Sequence, residues 1–332
     1  MNVFVTGTAG FIGYHLARRL LDEGHSVTGF DGLTDYYDVS LKRARLGELA
    51  GYERFTLIEG RVEDAQLLRQ SLEGADAEIV VHLAAQAGVR YSLEQPASYV
   101  QANLVGTANL LEAVRALPPR HFLFASSSSV YGGNQQAPFS ELHSADLPLS
   151  FYAATKKGGE AMVHAYSHLW AIPSTSLRFF TVYGPWGRPD MALFKFVAAI
   201  LAAQPIDIYG QGQMQRDFTY VDDLIEAVMR LIGRPPTIGQ PVDGDSLSAV
   251  APYRCVNLAG GRPQPLLDFV DAIEAALGMK AERRFLPLQA GDPRDTAADP
   301  TLLRQLIGDV PLTEMSEGVA RFVDWYRRYY RL

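Results

Sequence analysis

Cysteine is almost missing from this chain of 332 residues, with Cys255 the only one. A single thiol excludes an internal disulfide and any cysteine-rich metal site, fits a reducing cytoplasm and makes a weak candidate nucleophile; no metal is expected. Long apolar stretches are missing too. No window reaches the ~20 apolar residues of a membrane span, and the opening "MNVFVTG" has no basic leader segment, so no membrane partner is expected and the cytoplasm is the expected location. Positive charge is in deficit, with 30 Lys and Arg against 37 Asp and Glu and a net charge of -7. That balance argues against a nucleic-acid partner and leaves room for a local basic pocket around a small anion. What is present is an apolar fraction of 48% over a length that suggests about two domains with a large core.

Strand-like runs at residues 2–6, 26–30, 54–58, 77–83, 121–125 and 173–180 alternate with helical patterns at 11–23, 64–72, 96–117 and 151–170. Such alternation predicts a parallel sheet covered on both faces, the doubly wound α/β (Rossmann) arrangement. After Tyr183 the alternation weakens, and helical patterns at 193–203, 221–232, 266–277 and 317–330 stand between turn-rich stretches. Residues 1–183 are therefore expected to form the nucleotide-binding domain and 184–332 a smaller α/β substrate domain. Residues 233–252, rich in Gly, Pro and Asp, are expected to be a disordered loop.

"VFVTGTAGFIGYHL" puts Gly7, Gly10 and Gly13, with Phe11 and Ile12 between the last two, where the first strand passes into the first helix. Small residues there let the backbone approach a pyrophosphate at a helix N-terminus. On its own the spacing reads as readily as an ordinary glycine-rich turn. Asp31 ends the second strand 18 residues after Gly13, close to the ~20 at which a carboxylate accepts from the adenosine ribose 2′-OH of a dinucleotide. An acid there repels a 2′-phosphate, which selects NAD over NADP as the cofactor; Asp31 also reads as a turn residue in "FDGLTD".

The stretches "TGTAGFIG", "HLAAQAGVRYS", "SSSSVYG", "YAATK" and "RFFTVYGPWGRPDMALFKF" together resemble the extended short-chain dehydrogenase/reductases that act on nucleotide sugars, over nearly the whole chain. Within that family "DYYDVSLKRARL", "AGVRYSLEQP" and "TVYGPWGRPDMALFKF" resemble the UDP-glucuronic acid 4-epimerases. The resemblance implies NAD contacts at Leu83, Ala84, Ala85, Gln86 and Asn103, and a cofactor or phosphate contact at Lys42. It also implies a homodimer paired through the helices at 96–117 and 151–170. One departure stands out: Gly60-Arg61 replaces the Gly-Asp of many relatives. The acid that would recognise adenine is missing, and the backbone of Val62 or an arginine stack takes its place.

In "FYAATKK" Tyr152 and Lys156 are four apart and share a helix face, while Lys157 points about 100° away. Read alone, the pair is a core tyrosine with a snorkelling lysine. Its place at the start of the helix after the serine strand makes it catalytic: an ammonium and a cationic nicotinamide draw the phenol, ordinarily of pKa about 10, toward base duty. Gly158 and Gly159, poor helix formers, predict a close neighbour, either cofactor or helix.

In relatives sharing this fold the tyrosine takes the 4-OH proton, C4 gives hydride to NAD and a 4-keto sugar forms. Dehydratases then use Asp-Glu before "VYG" and decarboxylases a glutamate; here Ser128 and Ser129 hold those positions. Without an added acid or base, the ketone rotates and takes hydride back on its other face, which inverts C4 and converts UDP-glucuronic acid to UDP-galacturonic acid. The intermediate is a β-keto acid, which loses carbon dioxide when its carboxylate bond lies parallel to the carbonyl π orbitals. Neutral hydroxyls at Ser127, Ser128, Ser129 and Thr181 suit the task of holding the carboxylate out of that alignment. Thr181 also reads as a plain β-branched strand residue, and Ser126 as the end of the strand.

For the UDP-sugar substrate, the resemblance implies Arg216 and Arg188 on the diphosphate, with Arg188 alternatively near the sugar carboxylate. It implies Asp292 on the uridine ribose, with Gln289 where many relatives have arginine, and Arg90 either near the sugar or in a buried ion pair. His82 reads as a core histidine and "WYRRYY" as packing or oligomer surface. Two other activities fit the same family, UDP-glucuronate decarboxylation and UDP-galactose 4-epimerisation. From a different class, an NAD-binding regulatory protein would keep the fold without the chemistry; Tyr152 and Lys156 together argue against it.

Overall fold

The computed structural model describes residues 1–289 and 295–332. Its strands are β1 (Asn2–Thr6), β2 (Ser26–Asp31), β3 (Phe55–Glu59), β4 (Ile79–His82), β5 (His121–Ser127), β6 (Ser174–Phe179), β7 (Thr181–Tyr183), β8 (Ile206–Ile208), β9 (Gln215–Tyr220), β10 (Tyr253–Leu258), β11 (Pro263–Pro265), β12 (Arg283–Phe285) and β13 (Asp295–Thr296). Val3-Phe4-Val5 and Ile79-Val80-Val81 are apolar on both faces, the composition of strands sandwiched between helix layers, and all six side chains are buried. Seven strands form one sheet in the order β10-β6-β5-β4-β1-β2-β3, and every neighbouring pair is parallel. From β1 the chain builds outward through β2 and β3, then returns to the other side of β1 for β4, β5 and β6. The connections part at that reversal, so a crevice opens beyond the carboxyl ends of β1 and β4.

The helix start signals fall where the site needs rigid elements. Ser150 caps the helix Phe151–Trp170 by accepting from the N–H of Ala153, and Asp64 caps Ala65–Ala75 through the N–H of Leu67. The helix Phe11–Asp22 begins at Gly10 with no side-chain cap, which leaves its first N–H groups to face the crevice. The long helix expected at 96–117 is three pieces: Pro96–Tyr99, a π-helical turn Val100–Val105 and Gly106–Ala116. The close neighbour predicted by Gly159 is a strand side chain: a Cβ there would lie 2.4 Å from the ring of Phe124 on β5.

Three expectations change. The division at 183/184 does not cut the sheet cleanly, because β10, from the second half, pairs with β6 and all six of its residues are buried. The stretch 233–252, expected as a disordered loop, is a strap tied to β10: Asp245 pairs with Arg254 at 2.8 Å, and the hydroxyl of Ser246 bonds both the N–H and the carbonyl of Cys255. The helix Val39–Leu49 had no counterpart in the hydrophobic pattern, because two of its five inward residues are Lys42 and Arg45. In the second half β9 is flanked by β11, β13 and β7, while β8 pairs with β12. The C-terminal helix Met315–Tyr330 packs Trp325 and Tyr329 on Trp186, so the aromatic stripe is a core surface within the chain.

His82 and His121 are buried and neutral, with burial holding them down to about 3 and about 4. His82 sits in a directed chain. The N–H of Ala84 donates to the Thr6 hydroxyl, which donates to Nδ1 of His82; Nε2–H donates to the Thr107 hydroxyl, which donates to the Asn103 carbonyl. Protonation of Nδ1 sets its N–H against the Thr6 hydroxyl proton, and the link survives only if Thr6 turns acceptor and gives up its own acceptor. The unfolded chain binds protons at these rings as pH falls below 6.5 while the folded chain does not. Stability is therefore full above that value and declines toward pH 4, by about 3 kcal/mol for the two rings at roughly pH 5.5. Thermal melts across that range check it, and a melting temperature flat from 6.5 to 5 contradicts it.

Candidate active site

A cleft of about 850 Å³ lies along the carboxyl edge of the sheet and runs from Asp31 and Arg61 at one end to Arg216 and Asp207 at the other. It divides by chemistry. At the first end Gly7 has φ +78°, and a Cβ there would lie 2.7 Å from the N of Ala84; a Cβ at Gly13 would lie 2.0 Å from the carbonyl of Gly7. A side chain at Gly7 would force the turn off the end of β4 and one at Gly13 would force the helix off the turn, so this cradle exists only with glycine. With Gly10 uncapped, the turn presents backbone donors to an anion.

Asp31 is buried, and its carboxylate accepts from the N–H of Ala9 (2.9 Å) and of Leu33 (2.8 Å), so it braces the glycine turn with lone pairs left over for ribose hydroxyls. Burial raises its pKa against the pull of those two N–H groups and of Lys42. Lys42 donates to the Thr34 carbonyl and lies 4.6 Å over the Tyr37 ring. Phe11, Ile12, Val62, Leu83, Ala84, Ala85 and Gln86 line the same end. The donors, the acid and the glycines fit a dinucleotide with a free 2′-OH. Asn103 is not on the wall. Its side chain is buried beneath the Gln86 turn, accepting from the Gln86 N–H at 2.7 Å and donating to the Gln86 carbonyl at 3.0 Å, so it shapes that turn.

At the middle of the cleft Ser126 and Ser127 belong to β5, paired with Arg178 and Phe179, and Ser128 and Ser129 begin the following 3₁₀ turn. Ser127, Ser128, Ser129, Thr181 and Tyr152 all line the cleft. The Ser127 hydroxyl accepts from the N–H of Ser129 and caps the turn. Burial raises the Tyr152 phenol, opposed by a hydrogen bond from Ser127 and by the charge of Arg188. Lys156 is buried, donates to the carbonyl of Ala125 at 2.8 Å and lies 5.3 Å from the Phe124 ring; burial pulls it down to about 7. The ammonium thus points at the backbone of β5, and the groups that pull the Tyr152 phenol down are Ser127 and Arg188. Ser126 does not merely end a strand: it donates to Glu160, which holds Arg178 at 2.8 and 2.9 Å beneath the serine turn.

Arg188 lines the cleft near its middle, 6.0 Å over the Tyr36 ring and close enough for its charge to reach Tyr152, and Arg216 lines the far end. Arg188 pairs with Asp190, and Tyr36 donates to that same carboxylate at 3.0 Å. Arg90 also lines the cleft and lies 4.7 Å over the Tyr209 ring, spanning the two walls. Asp292 lies outside the described residues. Arg45, Tyr36, Asp190 and Glu160 were missed. Arg45, Tyr36 and Asp190 stand inside quoted motifs and Glu160 three residues beyond one, yet no spacing rule marks them, because their partners are more than a hundred residues away or on another element. Among the described residues no group of His, Cys, Asp and Glu is placed to hold a metal, and no helix is long and apolar enough to cross a membrane.

Fold and cleft together define a dinucleotide-dependent enzyme, with a tyrosine and serine hydroxyls at the middle of its cleft and arginines along the second half. The chain belongs to the NAD dependent epimerase/dehydratase family, whose model matches residues 3–243. It is 53% identical to a probable UDP-glucuronate 4-epimerase of Rhizobium meliloti, covering all of this chain and 98% of that one. It is 44% identical to UDP-glucuronate 4-epimerase 1 of Arabidopsis thaliana, covering 99% of this chain and 77% of that one. Its fold matches the crystal structure of UDP-glucuronic acid 4-epimerase from Bacillus cereus in complex with UDP-glucuronic acid and NAD, with a TM-score of 0.89, 33% identity and coverage of 99% and 100%.

Proposed function

We propose that this protein is an NAD-dependent UDP-glucuronate 4-epimerase, which inverts C4 of UDP-glucuronic acid through a 4-keto intermediate and keeps the carboxylate. One observation carries the reading: the end of β5, beside Tyr152, presents only serine hydroxyls, Ser127 to Ser129, with no acid or base for a second reaction. Gly7, Gly10 and Gly13 cradle the cofactor diphosphate and Asp31 takes its ribose. Bound NAD supplies reversible acceptance of hydride from C4. Tyr152 removes the 4-OH proton and later returns it, and Ser127 and Arg188 favour the phenolate. Lys156, held by the Ala125 carbonyl, fixes a cation on the same helix. Arg188 and Arg216 grip the diphosphate as forked donors, so the sugar can turn over while the nucleotide stays anchored. Ser127, Ser128, Ser129 and Thr181 hold the carboxylate out of the alignment that releases carbon dioxide.

Incubation with UDP-glucuronic acid and separation of the sugar nucleotides tests it: UDP-galacturonic acid is expected, and dominant UDP-xylose or no turnover overturns it. The restraint by hydroxyls has its own check. Alanine at Ser127, Ser128 or Thr181 is expected to lower the epimerisation rate roughly tenfold and to release UDP-xylose as a side product; slow epimerisation with no UDP-xylose removes the restraint. The protein works in the cytoplasm as a homodimer, a reading supported by exposed Val105, Leu117, Phe151, Leu169 and Trp170 on the two helices concerned. Light scattering at a single-chain mass of 36.5 kDa removes the dimer, and activity outside the soluble cytoplasmic fraction removes the location.

A further inference from the structure

Arg45 is fully buried, yet among the described residues it has no ion-pair partner. Its guanidinium is spent instead on neutral oxygens. Nη1 donates to the carbonyl of Ala9, inside the glycine turn, at 2.8 Å and to the Tyr37 hydroxyl at 2.7 Å. Nε and Nη2 donate to the carbonyl of Trp186 at 3.2 and 2.6 Å, and Nη2 also to that of Gly187 at 3.1 Å. The preceding carbonyl, of Pro185, faces Nε2 of His15 at 2.9 Å, and His15 lies on the helix that begins at the glycine turn. Three consecutive carbonyls of the turn that leads to Arg188 are thus held by side chains of the cofactor half.

The gripped turn needs holding. Trp186 has φ +60°, a left-handed conformation that is costly for a bulky residue and persists only when its surroundings over-determine it. The ring of Trp186 lies 5.2 to 5.5 Å from those of Tyr14, Trp325 and Tyr329, and Arg45 secures the backbone. Two residues later Arg188 lines the cleft, paired to Asp190, which Tyr36 ties back to the cofactor half. The buried charge is tolerated because each of its N–H donors reaches an oxygen and the Asp31 carboxylate lies close enough to feel it.

We propose that Arg45 is a positioning residue that couples the glycine turn to the Arg188 turn, so that the diphosphate arginine of the sugar nucleotide is set in place by the cofactor half of the cleft. Lysine cannot reproduce it, because a single ammonium does not span carbonyls on two segments with fixed, forked donors. The proposal rests on the reading of Arg188 as a diphosphate ligand.

Calorimetric titration of the NAD-saturated enzyme with UDP tests it. Arg45→Lys is expected to weaken UDP roughly tenfold and to raise KM for UDP-glucuronic acid by about the same factor, and to lower kcat by the smaller factor of about threefold, because Arg188 also pulls on the Tyr152 phenol. In an Arg188→Ala background the same change is expected to add less than about twofold, because its effect passes through that side chain. Full UDP affinity in folded Arg45→Lys, or effects that multiply in the double variant, overturns the coupling and leaves the function standing. Full affinity in Arg188→Ala overturns the diphosphate reading and the coupling with it. If Arg45→Lys does not fold, His15→Gln, which loosens the Pro185 carbonyl and leaves the Arg45 contacts in place, is expected to give the same pattern at about threefold. Loss of the fold in both variants, or unaltered affinity in His15→Gln, assigns these residues to stability and overturns the proposal.

Discussion

Tyr152→Phe is expected to lower turnover by roughly a thousandfold or more while UDP and NAD remain bound. The substitution removes one oxygen and almost no volume, so the packing of the ring against Tyr99, 6.1 Å between centroids, is kept. What is lost is the proton acceptor for the 4-OH. No other titratable group is poised for that duty. Lys156 is committed to the Ala125 carbonyl, Asp190 is bound by Arg188 and Tyr36, and the three serines carry no charge. Because the phenol is raised by burial and brought back by Ser127 and Arg188, Ser127→Ala is expected to move the rising limb of the pH–rate profile to higher pH. Near-normal turnover in Tyr152→Phe, measured by product separation with cofactor content checked in parallel, takes the tyrosine out of its role.

Glu160→Ala carries the largest expected cost in stability. Glu160 and Arg178 are both 3% exposed, and the carboxylate accepts from Arg178 through both oxygens and from Ser126 at 2.6 Å. Removal leaves a guanidinium in the core whose Nη1 already has no hydrogen-bond partner and whose remaining neighbours are the Tyr131 ring, the Glu141 carboxyl and Cys255. Stranding one partner of a buried pair costs about 3–5 kcal/mol, whereas replacing both by apolar groups is often neutral. Denaturant titration is therefore expected to show that loss for Glu160→Ala and most of it recovered in the double variant Glu160→Met, Arg178→Met. A single-variant loss below about 1 kcal/mol contradicts the account. Burial works to raise Glu160, but Arg178 and Ser126 outweigh it and hold the group below its unfolded value of 4.5. The stabilisation is thus present above pH 4.5 and lost as pH falls further. Since Ser126 is one residue from Ser127, the pair also seats the serine turn from below.

Much of the site was readable because its residues act through local spacing. Gly7, Gly10 and Gly13 meet one phosphate-binding turn, Asp31 closes the next strand, and Tyr152 and Lys156 are one helical turn apart. The four serines were readable as a change of chemistry, from acids to hydroxyls. Their split into two strand residues and two turn residues was not, because strand length depends on whether a neighbour is present, and β6 extends pairing to Ser127. Asn103 lies in the π-helical turn and bonds the Gln86 backbone; a motif does not say whether a polar side chain faces ligand or backbone.

By itself the amino-acid order determined the α/β alternation, the glycine turn with an acid at the end of the next strand, and the tyrosine and hydroxyls that line the cleft, all of which follow from periodicity and from chemistry within a few residues. Tertiary structure alone decided the rest: that a late strand, β10, completes the first sheet, that Lys156 points at Ala125, that Glu160 and Arg178 share the core, and that Arg45 joins the glycine turn to the turn before Arg188. These depend on side chains far apart in the chain meeting in a water-excluded interior, where a charge needs specific partners, and no local pattern records who they are.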